Sequence, residues 1–298
     1  MKCNPVFIQI LVLFLIFISC KSTNNIKIDT TANYEKYFRT TALPSKGIVV
    51  IAHGLNTNPS KMGDENIEGT LVKLFLDEGY HVYRIVLPGH GGTIEEMQNL
   101  NAQDLLSSAL SQYREAAEIA RENSIPIYLA AFSLGALVYK NLIQNEEDVE
   151  FAKAILFAPA AAIKRTARAG IFAADIFLAD TAIIKSRAPA EYRAQKGVSI
   201  SAYRALFELE DNLYKNKFTN CNIPTLVFID PKDELISVSK LQKSILNFNL
   251  SNWNIITVSN TGAEITPKYH HLIIDNKSVS TETWNFIHDR IVYFLNEL

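Results

Sequence analysis

The stretch IPIYLAAFSLGALVYK, residues 125–140, sets a hydroxyl, Ser133, at the end of an apolar run and a glycine, Gly135, two residues later. A serine there has two uses. It can cap the helix that LGALVYK predicts, or it can stand as a nucleophile on a sharp turn. An unassisted serine hydroxyl is a poor nucleophile near neutral pH, so the second use requires a base and a group that orients the base. Both residue types occur downstream. IPTLVFIDPKDELIS carries Asp230, Asp233 and Glu234, and NTGAEITPKYHHLIID carries His270 and His271. Upstream, VVIAHGLN ends in His53, Gly54 and Leu55, and LPGHGG holds His90. The chemistry within reach of such a set is transfer of an acyl group through a serine nucleophile.

Positioning these groups falls to the elements around them. GIVVIAH, YHVYRIVL, PIYLAAF, AKAILFAP, PTLVFID and NIITVS are six apolar runs of strand length. Between them, Ile67, Leu71, Leu74 and Phe75 have helical spacing that ends at Gly79, and a long amphipathic helix opens after Asn101. Further helices are expected over LGALVYKNLIQN, residues 238–248 and TETWNFIHDRIVYFLNEL. Strands alternating with helices make βαβ units, so the fold class is α/β, with a mostly parallel central sheet covered by helices on both faces. Ligands of such sheets bind outside the carboxyl ends of the strands. Every reactive group named above falls at or beyond such an end. Residues 160–218 break the rhythm with helical patches and no convincing strand. A crossover needs only about a dozen residues, so the segment is expected to be a helical cap over the carboxyl edge.

On these residues the chain resembles the α/β-hydrolase family, over about residues 45–298 and least through the insertion. Ala131-Phe132-Ser133-Leu134-Gly135 is similar to its nucleophile elbow G-x-S-x-G, with alanine in place of the first glycine. His53-Gly54 resembles the family's oxyanion-hole strand end. The resemblance implies Leu55 and Leu134 as backbone N–H donors and a structural His53. LPGHGG is similar to the loop of monoacylglycerol-lipase-like and serine-aminopeptidase-like members. The acidic loop resembles the family segment whose acid falls at Asp233. Asp230 takes a place usually held by glycine there, and Asp230 and Glu234 stay as alternatives. Family members carry a histidine five residues before an acid, which selects His270, with His271 the alternative. The order Ser133, Asp233, His270 is the one this fold uses.

The resemblance implies a Ser-His-Asp hydrolase acting through an acyl-enzyme on carboxylic esters, with lysophospholipid, monoacylglycerol or small acyl esters as the expected substrates. It also leaves room for an aminopeptidase, amidase or thioesterase. Asp175, Asp180 or Glu191 in the cap would then receive a substrate amine. From another class stands a non-catalytic surface lipoprotein that binds a ligand on a hydrolase scaffold. No metal or organic cofactor is implied.

Composition narrows the setting. The chain has 298 residues, 48% hydrophobic and 20% charged, with a formal net charge of −2. That balance fits one folded domain with a sizeable core and gives no electrostatic case for nucleic acid. The opening MKCNPVFIQILVLFLIFISC holds an apolar run too short for a membrane span of about 20 residues and of secretory-signal length. Its FISC ending resembles a bacterial lipoprotein signal, although Phe17 stands where leucine is usual. Residues 1–19 are therefore expected to be a signal peptide, with Cys20 the lipidated residue that the resemblance implies and an ordinary signal peptide or uncleaved anchor as the alternative, and 20–44 a tether and lead-in. The implied location is the cell envelope, membrane-anchored through Cys20. Of the three cysteines only Cys221 lies beyond that region, which rules out an internal disulfide in the mature chain. Oligomeric state is not legible.

Overall fold

Strand β2 shows how the molecule is layered. All five residues of Ile48–Ala52 are buried. Ile48, Val50 and Ala52 enter one hydrophobic cluster, and Val49 and Ile51 enter a second one on the opposite face. A strand buried on both faces reads as a continuous apolar run rather than an alternating one, which is why GIVVIAH is so legible. The structure is a computed structural model that describes residues 34–264 and 269–297. The expected signal peptide, Cys20 and the greater part of the expected tether lie outside the described residues.

The strands are β1 (Tyr37–Phe38), β2, β3 (His81–Arg84), β4 (Ile127–Phe132), β5 (Lys153–Phe157), β6 (Ile183–Lys185), β7 (Gly197–Ser199), β8 (Thr225–Ile229) and β9 (Trp253–Thr257). Seven form the central sheet, in the order β1-β3-β2-β4-β5-β8-β9. The six expected strands are parallel, and β1 joins the edge antiparallel to β3. Chain order reverses at β2, whose neighbours are β3 on one side and β4 on the other. Such a switch point opens a crevice at the carboxyl ends.

The helices are α1 (Leu71–Asp77), α2 (Ile94–Gln98), α3 (Ala102–Asn123), α4 (Leu134–Asn145), α5 (Arg165–Phe177), α6 (Ile200–Lys215), α7 (Val238–Asn247) and α8 (Thr281–Asn296). In α3 the buried residues Leu105, Ala109, Tyr113, Ala116 and Ala120 follow helical spacing. Asn101 caps its start, accepting from the Asp104 N–H at 2.9 Å. Helices α3, α4, α6 and α7 contribute to the cluster on one face of the sheet, and α1 and α8 to the cluster on the other. Among the described residues no helix is long and apolar enough to cross a membrane.

Three expectations change. The lead-in supplies a sheet strand, with Phe38 buried against Arg84 and the second core. Helix α1 starts at Leu71, so Ile67 precedes it and is 45% exposed. Gly69, at φ 73°, and the extended Thr70 turn the chain just before the helix. Within 160–218, α6 is a layer helix: it packs on α3 and α4 and buries Ala202, Leu209 and Leu213. What remains beside it is α5 and the short antiparallel hairpin β6–β7. Helix α5 buries only Ala174 and leaves Phe172, Ile176 and Phe177 exposed.

Candidate active site

Ser133 joins β4 to α4 with φ 49° and ψ −110°, a strained conformation for a residue with a Cβ, worth on the order of 1–3 kcal/mol. Neighbouring backbone holds it there. The Ser133 N–H donates to Phe157 O at 3.0 Å, and its carbonyl accepts from Ala160 N–H at 3.1 Å. The turn presses the first residues of α4 against β2. A Cβ on Gly135 would lie 2.7 Å from both Cβ and O of Ala52. Ala131, paired with Ala52 in the sheet register, is fully buried and keeps its methyl. The helix-capping use of the serine is not realised, since its side chain makes no capping bond to α4.

The Ser133 hydroxyl meets His271. Nε2 of His271 lies 2.9 Å from Oγ, and its Nδ1 lies 2.8 Å from Oδ2 of Asp233. A carboxylate accepts only, so the ring proton sits on Nδ1, and Nε2 is left to accept from the hydroxyl. Asp233 is fully buried. Its Oδ1 accepts from the backbone N–H groups of Leu235 and Ile236 at 2.7 and 2.8 Å. Burial alone would raise the carboxyl pKa. The charge and hydrogen bond of His271, with the two N–H donors, outweigh it and hold Asp233 below the usual carboxylate range.

The expected histidine was one residue off. His270 does not face Ser133; its Nδ1 lies 3.0 Å from Oδ2 of Asp230. Spacing to Asp275 selected it, but Asp275 is occupied elsewhere, accepting from Tyr192 Oη at 2.9 Å and from the Ser278 N–H at 2.7 Å. What decides the register is the backbone. Glu234 accepts the His270 N–H through Oε1 at 3.0 Å and the His271 N–H through Oε2 at 3.1 Å. Adjacent side chains then point to different partners. Neither Asp230 nor Glu234 approaches the ring of His271 within hydrogen-bonding distance; the carboxylate that does is Asp233. Nothing in the sequence marked Glu234 as a backbone clamp.

The loop after β2 supplies the other side of the crevice. The Leu55 N–H takes part in no hydrogen bond among the described residues, and Leu134 is the first residue of α4, where an N–H has no intrahelical partner. A Cβ on Gly54 would meet the Phe132 ring at 2.7 Å. His53 donates through Nδ1 to Gly54 O at 3.0 Å and accepts from Leu87 N–H through Nε2 at 3.0 Å. His90 donates to Pro88 O at 2.8 Å and accepts the Asn56 N–H at 2.8 Å. Burial holds both rings neutral, with His90 pushed down to about 4. Through these bonds the two rings tie the LPGHGG loop to the Leu55 loop.

Two sets of bonds fasten the stems of the insertion to the loops of this crevice. Asn56 and Gln195 exchange two bonds, 3.1 and 2.7 Å, and Ala194 N–H donates to Asn56 O at 2.9 Å. At the other stem, Lys164 N–H donates to Leu235 O at 2.7 Å, and the Lys164 ammonium donates to Asp233 O. Asp175 and Asp180, considered for an amine subsite, both pair with Arg204; Glu191 is exposed. A cavity of about 290 Å³ lined by Ile143, Glu146, Val149, Phe151 and Ile223 opens at the amino edge of the sheet, far from Ser133 and without a nucleophile.

The sequence model of the family described as serine aminopeptidase, S33 (Hydrolase_4) matches residues 44–251. No curated protein matches the chain. Among solved structures, one reported for the metagenome-derived lipolytic enzymes LipS and LipT is similar at 18% identity, covering 87% of this chain and 96% of that one, with a TM-score of 0.63. A monoacylglycerol lipase from Paleococcus ferrophilus is 18% identical over 88% of this chain and 97% of its own, with a TM-score of 0.61. A soluble variant of monoglyceride lipase from Saccharomyces cerevisiae, in complex with a substrate analogue, is 13% identical over 92% and 98%, with a TM-score of 0.63. At these identities the likeness is one of fold.

Proposed function

Because this chain belongs to the serine aminopeptidase (S33) family of α/β hydrolases, we propose that it cleaves carboxylic esters with Ser133 as nucleophile, His271 as base and Asp233 as orienting acid. The observation that carries this reading is the unbroken chain of bonds from Ser133 Oγ through His271 to Asp233, at 2.9 and 2.8 Å. His271 Nε2 takes the hydroxyl proton as Oγ attacks the ester carbonyl, and Asp233 stabilises the imidazolium. The oxyanion is held by the N–H groups of Leu55 and Leu134, the latter at a helix N-terminus whose dipole favours negative charge. The proton then passes to the leaving alcohol. Water, activated by the same ring, releases the acid and restores Ser133.

For the substrate, monoacylglycerol, lysophospholipid or small acyl esters fit best. Support comes from the apolar exposed residues of α5, Phe172, Ile176 and Phe177, from the LPGHGG loop, and from the lipolytic neighbours in fold. The family's description favours a second reading, an aminopeptidase, but Asp175 and Asp180 are both already paired with Arg204. In this reading the protein is exported and held at a membrane by a lipid on Cys20, supported by the FISC ending. Loss of membrane fractionation in a Cys20→Ser variant tests that part.

The test of the chemistry is fluorophosphonate labelling of residues 21–298 beside Ser133→Ala, followed by an ester panel and aminoacyl amides. Labelling lost in Ser133→Ala, with turnover of esters over amides, is expected. Turnover of amides alone would move the assignment to the aminopeptidase. A folded protein that does not label would leave a ligand-binding scaffold.

A further inference from the structure

His271 is carried by residues 258–280, whose described part contains no helix and no sheet strand. Backbone bonds tie this segment down near its two ends, Val258 N–H to Ile229 O at 3.0 Å and Asn276 N–H to Gly69 O at 2.9 Å, so what fixes the base between them is a question about side chains as well. One of them is Asp230, which is 1% exposed. Its Oδ1 accepts from Lys232 N–H at 2.7 Å. Its Oδ2 accepts from two points of the base segment, Asn260 N–H at 3.0 Å and His270 Nδ1 at 3.0 Å. Asn260 in turn donates through Nδ2 to Tyr269 O at 2.9 Å. The carboxylate thus holds the base segment ten residues apart, at Asn260 and at the residue before His271. Glu234 adds its grip on the two backbone N–H groups, but it is exposed to competing water. Asp230 is not.

We propose that Asp230, acting through His270, is a positioning residue for the base: it fixes the backbone from which His271 reaches Ser133. This rests on the proposed ester hydrolysis for its kinetic meaning, though the geometry stands apart from it. Asp230 and His270 form a second Asp–His pair beside the first, built the same way through Nδ1 and Oδ2, yet turned from the serine. Its work is mechanical. A base displaced by about 1 Å from its productive place can lose on the order of a hundredfold in rate, so small shifts of this segment are expected to register in turnover before they register in binding.

The experiment is a double-mutant cycle of Asp230→Ala and His270→Ala in the full chain, read in two ways. On an ester substrate, each single variant is expected to lower kcat about three- to tenfold with KM within about twofold, and the double variant to fall no further than the worse single one. Asp230→Asn, which keeps one acceptor oxygen, should recover part of the loss. In 15N-labelled protein, the His271 Nδ1–H resonance, held by Asp233 in the wild type, should broaden or shift in both single variants. His270→Ala leaves Asp230 its other two donors, so it keeps the test open if Asp230→Ala fails to fold. Wild-type kcat and an unchanged resonance in folded His270→Ala would overturn the proposal, as would fully additive losses. If the wild type turns over no ester, the functional reading fails, and the resonance alone decides the positioning role.

Discussion

Nε2 of His271 lies 2.9 Å from Ser133 Oγ, while the ring of the preceding residue, His270, faces Asp230. Two neighbouring histidines therefore carry different consequences. His271→Ala is expected to lower kcat by about a thousandfold or more, since removing a triad member leaves only residual catalysis. His270→Ala should cost about tenfold at most on the same scale. Steady-state kinetics and fluorophosphonate labelling rates of the two variants check this. Equal losses would mean that the two rings exchange places in solution.

Asp233→Asn should lower kcat about a thousandfold to ten-thousandfold by stabilising the wrong imidazole tautomer. An asparagine Nδ2 would donate to Nδ1 and push the ring proton onto Nε2, where it meets the serine hydroxyl. The substitution also changes stability with pH. Asp233 titrates below its unfolded value in the folded protein, so its stabilising contribution is present above the ordinary carboxylate range and is lost as pH falls through the lowered value. Acid unfolding of the wild type should therefore be steeper than that of Asp233→Asn. Circular dichroism across pH 2–6 (about the carboxylate range) is the measurement.

Lys140 is a buried cation with no carboxylate partner among the described residues: its ammonium lies 3.5 Å from Thr225 Oγ1 and 4.7 Å from the centre of the Trp253 ring. Burial pushes its pKa down to about 8, opposed in part by Cys221. Between that value and its ordinary one the unfolded chain binds more protons, so wild-type stability should rise as pH climbs through this window. Below it the penalty is fully present and amounts to about 3 kcal/mol. Lys140→Met is expected to gain about 1–3 kcal/mol at neutral pH, with the gain shrinking toward pH 10. Urea unfolding at two pH values decides it; a gain that does not depend on pH would point to packing rather than charge.

Gly135→Ala would place a methyl 2.7 Å from Ala52 Cβ and O. One of these contacts is backbone in the middle of the sheet and has little room to yield. Overpacking of this kind costs about 1–3 kcal/mol, and the strain falls on the turn that presents Ser133. A lower Tm together with slower probe labelling is expected. A stable variant with slow labelling would show the turn giving way before the sheet.

Much of this was legible beforehand, for physical reasons that differ by element. The central strands are buried on both faces, so each appears as an apolar run of the right length. Helix α3 shows its period and its Asn101 cap. Strand β1 has two residues, too few to carry a pattern, and only its pairing with β3 reveals it. The strands of the β6–β7 hairpin, three residues each, are hardly longer. Helix α6 has an amphipathic pattern that does not say whether its apolar side meets the sheet or a ligand, and it meets the helical layer. Ser133, Gly135 and Asp233 follow from a turn and an acid at strand ends. His271 could not be chosen over His270 by spacing, because the choice is made by a carboxylate gripping two successive N–H groups, and that contact joins segments 36 residues apart.

Asn56 has a left-handed backbone, φ 56°, and a side chain that holds Gln195 by both of its polar ends. With Lys164 sewn to the loop of Asp233 and Tyr192 bonded to Asp275 in the base segment, the insertion is a bridge on several piers rather than a door on a hinge. A door can swing clear and leave its frame intact. A bridge lifts only by pulling on its piers, and here the piers include the loops that carry Leu55 and Asp233. A protein that lost the span would keep its serine and histidine but lose the bonds that tie down the loops on either side of them.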